Sequence, residues 1–195
     1  QSKSCWQKRS ALMRITLISV MLFSIIITKA NSDITKEVVS TLEKSNNYNF
    51  KFIQRINEKK ETGNCILVFN RKINCKYDNS NKVLISDGKN LIIKNNSSGV
   101  PNFYKLENTS FYKVLDRKFL IDQLKMKKIK IENNSLFVNL NYQNTDIKVF
   151  FDKEKLLLKG WQTTDIYNNS VSTEIFIQEV NKIIDKNLFD INKYN

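Results

Sequence analysis

The sequence predicts a mainly β chain of the α+β kind: an incomplete antiparallel β-barrel, or half-barrel, of about nine to eleven short strands closed by helices. Three observations carry this. Short runs with an apolar residue at every second position follow one another along most of the chain, separated by Asn-, Asp- and Gly-containing turns. Two segments instead carry apolar residues at helical spacing. The 195 residues include one Pro and four isolated Gly, at 63, 88, 99 and 160, which excludes a collagenous chain or a linker array.

The N-terminal region reads separately. Lys8, Arg9 and Arg14 precede the 14-residue apolar run ITLISVMLFSIIIT (15–28), and Lys29-Ala30-Asn31-Ser32 follows it. This order predicts a secretory signal peptide over 1–30, with cleavage after Ala30 or Ser32, and one domain over 31–195. The run is short of the roughly 20 residues of a spanning helix; an uncleaved anchor is the alternative. Met13-Arg14 reads as a natural start, making 1–12 an over-extended reading of the gene. Cys5 precedes the apolar run, where it cannot be a lipobox cysteine.

In ITKEVVSTLEKSN (34–46), Ile34, Val38, Val39 and Leu42 share a helical face, with Asp33 as N-cap and Ser45-Asn46-Asn47 as the stop. YNFKFIQRI (48–56) changes period: Tyr48, Phe50 and Phe52 alternate with Asn49, Lys51 and Ile53, a strand with one apolar face. NEKKETGN is expected to be a loop. KVLISDGKNLIIK (82–94) carries Asp87-Gly88 between two apolar runs, a strong hairpin signal. A polar loop, NNSSGVPN, and FYKLENTSF follow. SFYKVLDRKFLIDQLK (110–125), with Phe111, Leu115, Phe119 and Leu124 at helical spacing, is expected to be a second helix. KIKIENN, SLFVNLNYQN, TDIKVFFDKE, KLLLKGWQTTD and SVSTEIFIQEV read as strands, joined at Asn133-Asn134, Asn144-Thr145, Lys153-Glu154 and Asn168-Asn169. The last 15 residues form a tail expected to dock Ile183, Ile184, Leu188 and Phe189 at a sheet edge.

With 32 basic and 19 acidic residues the chain carries +13; residues 1–30 hold five of the basic ones and no acid, so without them the charge is +8. The basic residues are scattered and not interleaved with stacking aromatics, which argues against nucleic acid. Anionic membrane surfaces or acidic partners are the functional reading; a solvated surface whose sign follows an AT-rich genome is the other. There is no histidine, which excludes Ser-His-Asp and Cys-His catalysis and the commonest zinc ligands. No Gly-rich phosphate loop occurs. Asp152 and Glu174 read as solvent-facing strand residues, not as a catalytic pair. No enzyme activity, metal or cofactor is expected. The abundance of aromatic and aliphatic surface points to a binding protein with an apolar pocket.

GNCILVFNRKINCKYDN (63–79) holds two cysteines. If the hairpin turns at Asn70-Arg71, opposed residue numbers sum to about 140 and one face carries Cys65, Leu67, Phe69, Ile73, Cys75 and Tyr77. Cys65 and Cys75 then stand opposite one another, with Cβ atoms roughly 4.5–5.5 Å apart, and in an oxidising compartment a disulfide is expected. Closing about ten residues contributes roughly 2.5–3 kcal/mol. Two sulfurs without histidine cannot complete a zinc site, and a redox pair would stand as Cys-x-x-Cys at a helix start. Two free buried thiols are the alternative. Arg71, at the tip, reads on its own as a solvated turn residue.

Three stretches resemble the LolA family of periplasmic lipoprotein carriers. NYNFKFIQRI is similar to its first strand, an aromatic followed four residues later by Phe-x-Gln (Tyr48, Phe52, Gln54). LISDGKNLII (84–93) resembles its Ser-Asp-Gly-Lys hairpin, and LKGWQTTDIYNNSVSTEIFI (158–177) its late strand pair. The resemblance implies a half-barrel whose apolar cavity takes acyl chains, without cofactor. It implies a monomer that receives acylated lipoproteins from an inner-membrane ABC-type releasing complex and passes them to an outer-membrane receptor. Arg71 matches the family's gating Arg, with Lys72 where that Arg is followed by Pro; Ser110-Phe111 is nearest to its lid motif, again without Pro. Leu42, Tyr48, Phe50, Phe52, Tyr77, Phe111 and Leu115 are the candidate acyl-chain residues, with ordinary core packing as the other reading of each. A regulatory or sensor domain of an envelope stress pathway on the same half-barrel is the alternative function.

Overall fold

A computed structural model describes residues 34–95, 99–109, 111–132, 135–142, 144–165 and 169–194. The expected signal segment (1–30), the Asp33 cap, Ser110, the Asn133-Asn134 turn and Asn168 lie outside the described residues.

Among the described residues, eleven strands form one antiparallel sheet. The first meander comprises β1 (Asn47–Ile56), β2 (Lys59–Val68), β3 (Lys72–Tyr77), β4 (Lys82–Asp87), β5 (Asn90–Asn95) and β6 (Pro101–Lys105). The second comprises β7 (Lys130–Glu132), β8 (Ser135–Tyr142), β9 (Thr145–Phe151), β10 (Leu158–Thr164) and β11 (Ser170–Val180). Long strands β1 and β11 pair and join the two meanders, leaving β6 and β7 as open edges. The sheet is therefore an unclosed barrel. Helix α1 covers 34–44, and α2 (Arg117–Met126) lies between β6 and β7 in sequence. β6 and β7 are opposite edges, and between them in sequence Val114, Leu115, Leu120 and Leu124 pack into the core of the concave side, so that 111–126 lies over the half-barrel as a lid.

One core fills the concave side. Val38, Val39 and Leu42 of α1 and Leu120, Ile121 and Leu124 of α2 pack with the inward residues of the strands. Alternation along each strand selects those residues, since successive side chains point to opposite faces.

The cysteine hairpin has the expected register: Cys65 opposes Cys75, Ile66 Asn74, Leu67 Ile73 and Val68 Lys72. Asn70 and Arg71 both take positive φ, 91° and 72°, to turn the chain. At 82–94 the loop residues are Gly88-Lys89, with Ser86 opposite Leu91; Gly88 has φ 100°, and the Asp87 carboxylate accepts the Lys89 and Asn90 N–H groups.

Four expectations need correction. NEKKETGN is not a loop: only Asn57-Glu58 turns, with Asn57 at φ 51°, and β2 starts at Lys59 so that β1 is paired along its whole length. Backbone pairing overrides the polar pattern there, because an unpaired inner strand would strand its N–H and C=O groups. The second helix starts at Arg117, not 110: Asp116 is extended and its side chain accepts the Phe119 N–H as an N-cap, while 111–115 form consecutive turns. Asp152 is a turn residue whose carboxylate accepts the Glu154 and Lys155 N–H groups. The tail does not dock at an edge. Its 3₁₀ turns, Lys186–Phe189 and Ile191–Tyr194, lie against β3, β4 and β5, where Asn74 Nδ2 donates to Leu188 O at 2.6 Å. Phe189 is buried; Ile183 is 97 % exposed. Ile85 and Ile92 pair on the convex side of β4 and β5 yet are fully buried, so the tail closes a second, small core behind the sheet.

Candidate functional site: a lidded apolar interior

Inside the half-barrel, side chains of six strands meet beneath Phe111. Phe50, Phe52 and Gln54 come from β1, Cys65 from β2, and Ile73, Cys75 and Tyr77 from β3; Leu84, Trp161 and Thr173 complete the lining. They enclose about 40 Å³. The lining is apolar apart from the Tyr77 hydroxyl and the pair in which Gln54 Nε2 donates to Thr173 Oγ1 at 3.1 Å.

The aromatics sit in a gap made for them. Phe52 and Tyr77 meet edge to face with centroids 5.1 Å apart, over Gly63 of β2. A Cβ on Gly63 would lie 2.2 Å from Lys76 O and 2.7 Å from the Phe52 ring, so a glycine is required by close approach. The disulfide joins Cys65 and Cys75 next to this pair, with Cα atoms 4.1 Å apart, closer than the ~4.5 Å of an ordinary non-hydrogen-bonded pair.

Beside the cavity, Lys82 Nζ stands 4.1 Å from the centre of the Tyr77 ring and 2.8 Å from Glu61, which also pairs with Lys59 at 3.0 Å. Burial pushes Tyr77 up, and the Glu61 charge adds to it. Burial would raise Glu61 too, but hydrogen bonds from Lys82 and Lys59 hold it below the usual carboxylate range.

The lid is latched at its N-terminal end. Arg71, on the β2–β3 tip, donates from Nη1 to the Tyr112 hydroxyl, stacks over the Tyr112 ring at 5.1 Å, and lies 3.8 Å from the Asp116 carboxylate. Arg71 O in turn accepts from Ser86 Oγ at 3.1 Å, so the β4 strand steadies the tip. Next along the lid, Lys113 Nζ stands among the rings of Tyr142, Phe119 and Tyr112, at 4.3, 4.9 and 5.0 Å from their centres. Arg117 reaches the C-terminal end of α1, donating to Ser45 O at 2.6 Å. Arg71 is thus a turn residue whose half-exposed side chain is engaged by Tyr112 and Asp116.

Of the seven acyl-chain candidates, Phe50, Phe52, Tyr77 and Phe111 line the cavity. Leu42, Tyr48 and Leu115 are fully buried in the surrounding core and are not among its lining. Tyr48 meets Phe69 edge to face at 5.1 Å; its hydroxyl is buried without a hydrogen-bond partner, and burial pushes it up to about 12. Sequence reasoning missed Gln54, Leu84, Trp161 and Thr173 as lining, and Tyr112 and Asp116 as partners of Arg71. Strand parity with Phe52 would have found Gln54. Trp161 lies past a register shift between Leu158 and Gly160, which breaks parity. Tyr112 and Asp116 were hidden by the assumption of one continuous helix. Among the described residues no group of His, Cys, Asp and Glu could hold a metal ion.

Fold and interior together define a helix-lidded half-barrel with an apolar inside. No protein-family model matches the chain, and no curated protein matches it. In three dimensions it is similar to an uncharacterized conserved protein from Thermus thermophilus, at 9 % identity and TM-score 0.48, over 78 % of this chain and 91 % of that one. It is also similar to a LolA superfamily protein from Nitrosomonas europaea, at 5 % identity and TM-score 0.42, over 84 % and 98 %. A third similar structure is the Mycobacterium tuberculosis lipoprotein LppX, at 8 % identity and TM-score 0.39, over 80 % and 98 %. At these identities the likeness assigns no family.

Proposed function

We propose that the chain is a non-enzymatic periplasmic carrier: it holds the acyl chains of lipoproteins released from the inner membrane and carries them to the outer membrane. The observation that supports this most is the apolar interior lying under a segment held by polar contacts. About 40 Å³ has room for a few water molecules at most, against about 300–1,000 Å³ for ligand sites. An acyl chain therefore enters only as the lid lifts, withdrawing Phe111 from the cavity it lines together with Phe50, Phe52 and Tyr77. Leu42, Tyr48 and Leu115 pack behind that surface and adjust with it. Arg71 gates the movement, because opening breaks its contacts with Tyr112 and Asp116.

Each buried methylene contributes about 0.8 kcal/mol, so a long chain gains on the order of 10 kcal/mol gross. That holds a lipid out of water across an aqueous gap. Release needs an offset, and the carrier's own side chains supply it by refilling the interior when cargo leaves. In this reading residues 1–30 direct export and 31–195 form the working domain. An inner-membrane ABC-type complex loads the carrier and an outer-membrane receptor unloads it.

The test is lipoprotein release from spheroplasts, with mass spectrometry of lipid bound to protein purified from its native compartment. Release of lipoprotein into a soluble complex by the wild type, and cargo trapped or lost by Arg71→Leu, are expected. A protein that is recovered empty and releases nothing from spheroplasts overturns the reading.

A further inference from the structure

Basic residues are scattered over most of the chain, yet Lys125, Lys127, Lys128 and Lys130 fall together in the sequence KMKKIK, and all four are exposed. This segment leaves the C-terminal end of α2 and enters β7. Leu124 and Ile129, 1 % and 3 % exposed, pin it to the core. Between and beside the lysines, Met126 and Ile131 stand 70 % and 53 % exposed. A groove of about 590 Å³ separates the segment from α1; Val39 and Leu124 line it, and Lys36 adds a fifth cation.

Acids do not cancel this charge. Glu43 is the one carboxylate in the groove lining, 3.7 Å from Lys125. Glu132, beyond Ile131, pairs with Lys148 at 3.0 Å. Lys127 Nζ donates to Asn139 O at 3.0 Å, leaving two of its three donors free. Cations at a helix C-terminus offset the helix dipole within its last turn. That accounts for Lys125 and Lys127; it accounts neither for Lys36, Lys128 and Lys130 nor for two large apolar side chains held outside the core.

We propose that this face docks the protein on lipid bilayers that carry anionic headgroups. The ammonium groups meet headgroup phosphates, each contributing near the surface, while Met126 and Ile131 enter the headgroup–acyl boundary. Apolar tips interleaved with cations on a pinned segment fit a bilayer better than an acidic protein surface, which offers nothing for the tips to enter. The face lies at the opposite end of α2 from the Arg71 latch, about 15 Å away along a ten-residue helix. The inference does not depend on acyl cargo, so it stands or falls apart from the carrier reading.

Sedimentation of the cargo-free protein with vesicles tests it, comparing phosphatidylcholine alone with phosphatidylcholine containing phosphatidylglycerol. Binding to the phosphatidylglycerol vesicles only, weakening with salt, is expected. The quadruple variant Lys125→Gln, Lys127→Gln, Lys128→Gln, Lys130→Gln should lower the partition coefficient at least about tenfold. The control Lys51→Gln, Lys60→Gln, Lys76→Gln, Lys186→Gln removes the same charge elsewhere and should lose much less; thermal melts confirm that both fold. Met126→Asn with Ile131→Asn should remove the part of the binding that persists at high salt. Equal loss in both lysine variants overturns the proposal in favour of unspecific basicity. Absence of binding to either vesicle overturns it in favour of an acidic protein partner.

Discussion

The β2–β3 hairpin and the lid at 111–126 face each other across the same interior, and they are held by different means. The hairpin is fixed by a ladder of backbone hydrogen bonds, the Cys65–Cys75 disulfide and the tight seat of Phe52 over Gly63. The lid has no strand partner. It rests on the burial of Val114, Leu115, Leu120 and Leu124 and on side-chain contacts from Arg71 and around Lys113. Apolar burial is non-directional and tolerates sliding, while ladders and covalent bonds do not. One wall is cross-linked and hydrogen-bonded along its length, and the other is held by packing and side-chain contacts.

The most severe way to break the contrast is Gly63→Val. The new side chain meets Lys76 O and the Phe52 ring, and a loss of about 3 kcal/mol or more is expected in urea unfolding. Tolerance of valine would show that the hairpin wall is also compliant. Next comes Cys65→Ala with Cys75→Ala, expected to lower stability by about 2.5–3 kcal/mol while leaving lid exchange unchanged. Loss of lid protection in that variant would show that the two walls are not separate.

Tyr48, which packs on the hairpin residue Phe69, supplies a pH test. Its folded value of about 12 lies above the ordinary 10.0. The unfolded chain therefore loses this proton first as pH rises. The stability tied to the neutral phenol is complete below pH 10 and falls between about 10 and 12, by a few kcal/mol at most. Tyr48→Phe should flatten that part of the stability–pH curve and, having no unsatisfied hydroxyl, gain about 1 kcal/mol at neutral pH. An unchanged alkaline slope refutes the assignment.

The smallest effect on stability belongs to Arg71→Leu. Arg71 and Asp116 are partly solvated, at 34 % and 23 % exposed, so the loss should stay within about 1 kcal/mol. Amide exchange across 111–116 should nevertheless rise up to about fivefold, because that energy is concentrated on one local opening. Exchange that rises equally throughout the sheet would mean that Arg71 supports the fold and not the latch.

The same contrast explains what could be read without coordinates. The hairpin register was legible because alternation of Cys65, Leu67, Ile73 and Cys75 has period two, and a slip by one residue would turn every buried side chain outward. The lid was not. Phe111, Leu115 and Phe119 keep helical spacing, but spacing does not reveal that Asp116 caps a new helix at Arg117. Nor was the tail legible: Ile183 and Phe189 look alike in sequence, and one is exposed while the other closes the convex core. Of the site, Phe50, Phe52, Tyr77 and Phe111 could be named from pattern. Trp161 and Thr173 come from the far end of the chain and reach the cavity only through the β1–β11 pairing.

By itself, then, the sequence determined the strands, their inward faces and the placing of two cysteines opposite each other, since these depend on periods of a few residues and on local turn chemistry. Tertiary structure decided which segment crosses the mouth, what Arg71 touches and which isoleucines are covered. Those depend on contacts between residues far apart in the chain, whose free energy exists only once both sides are in place.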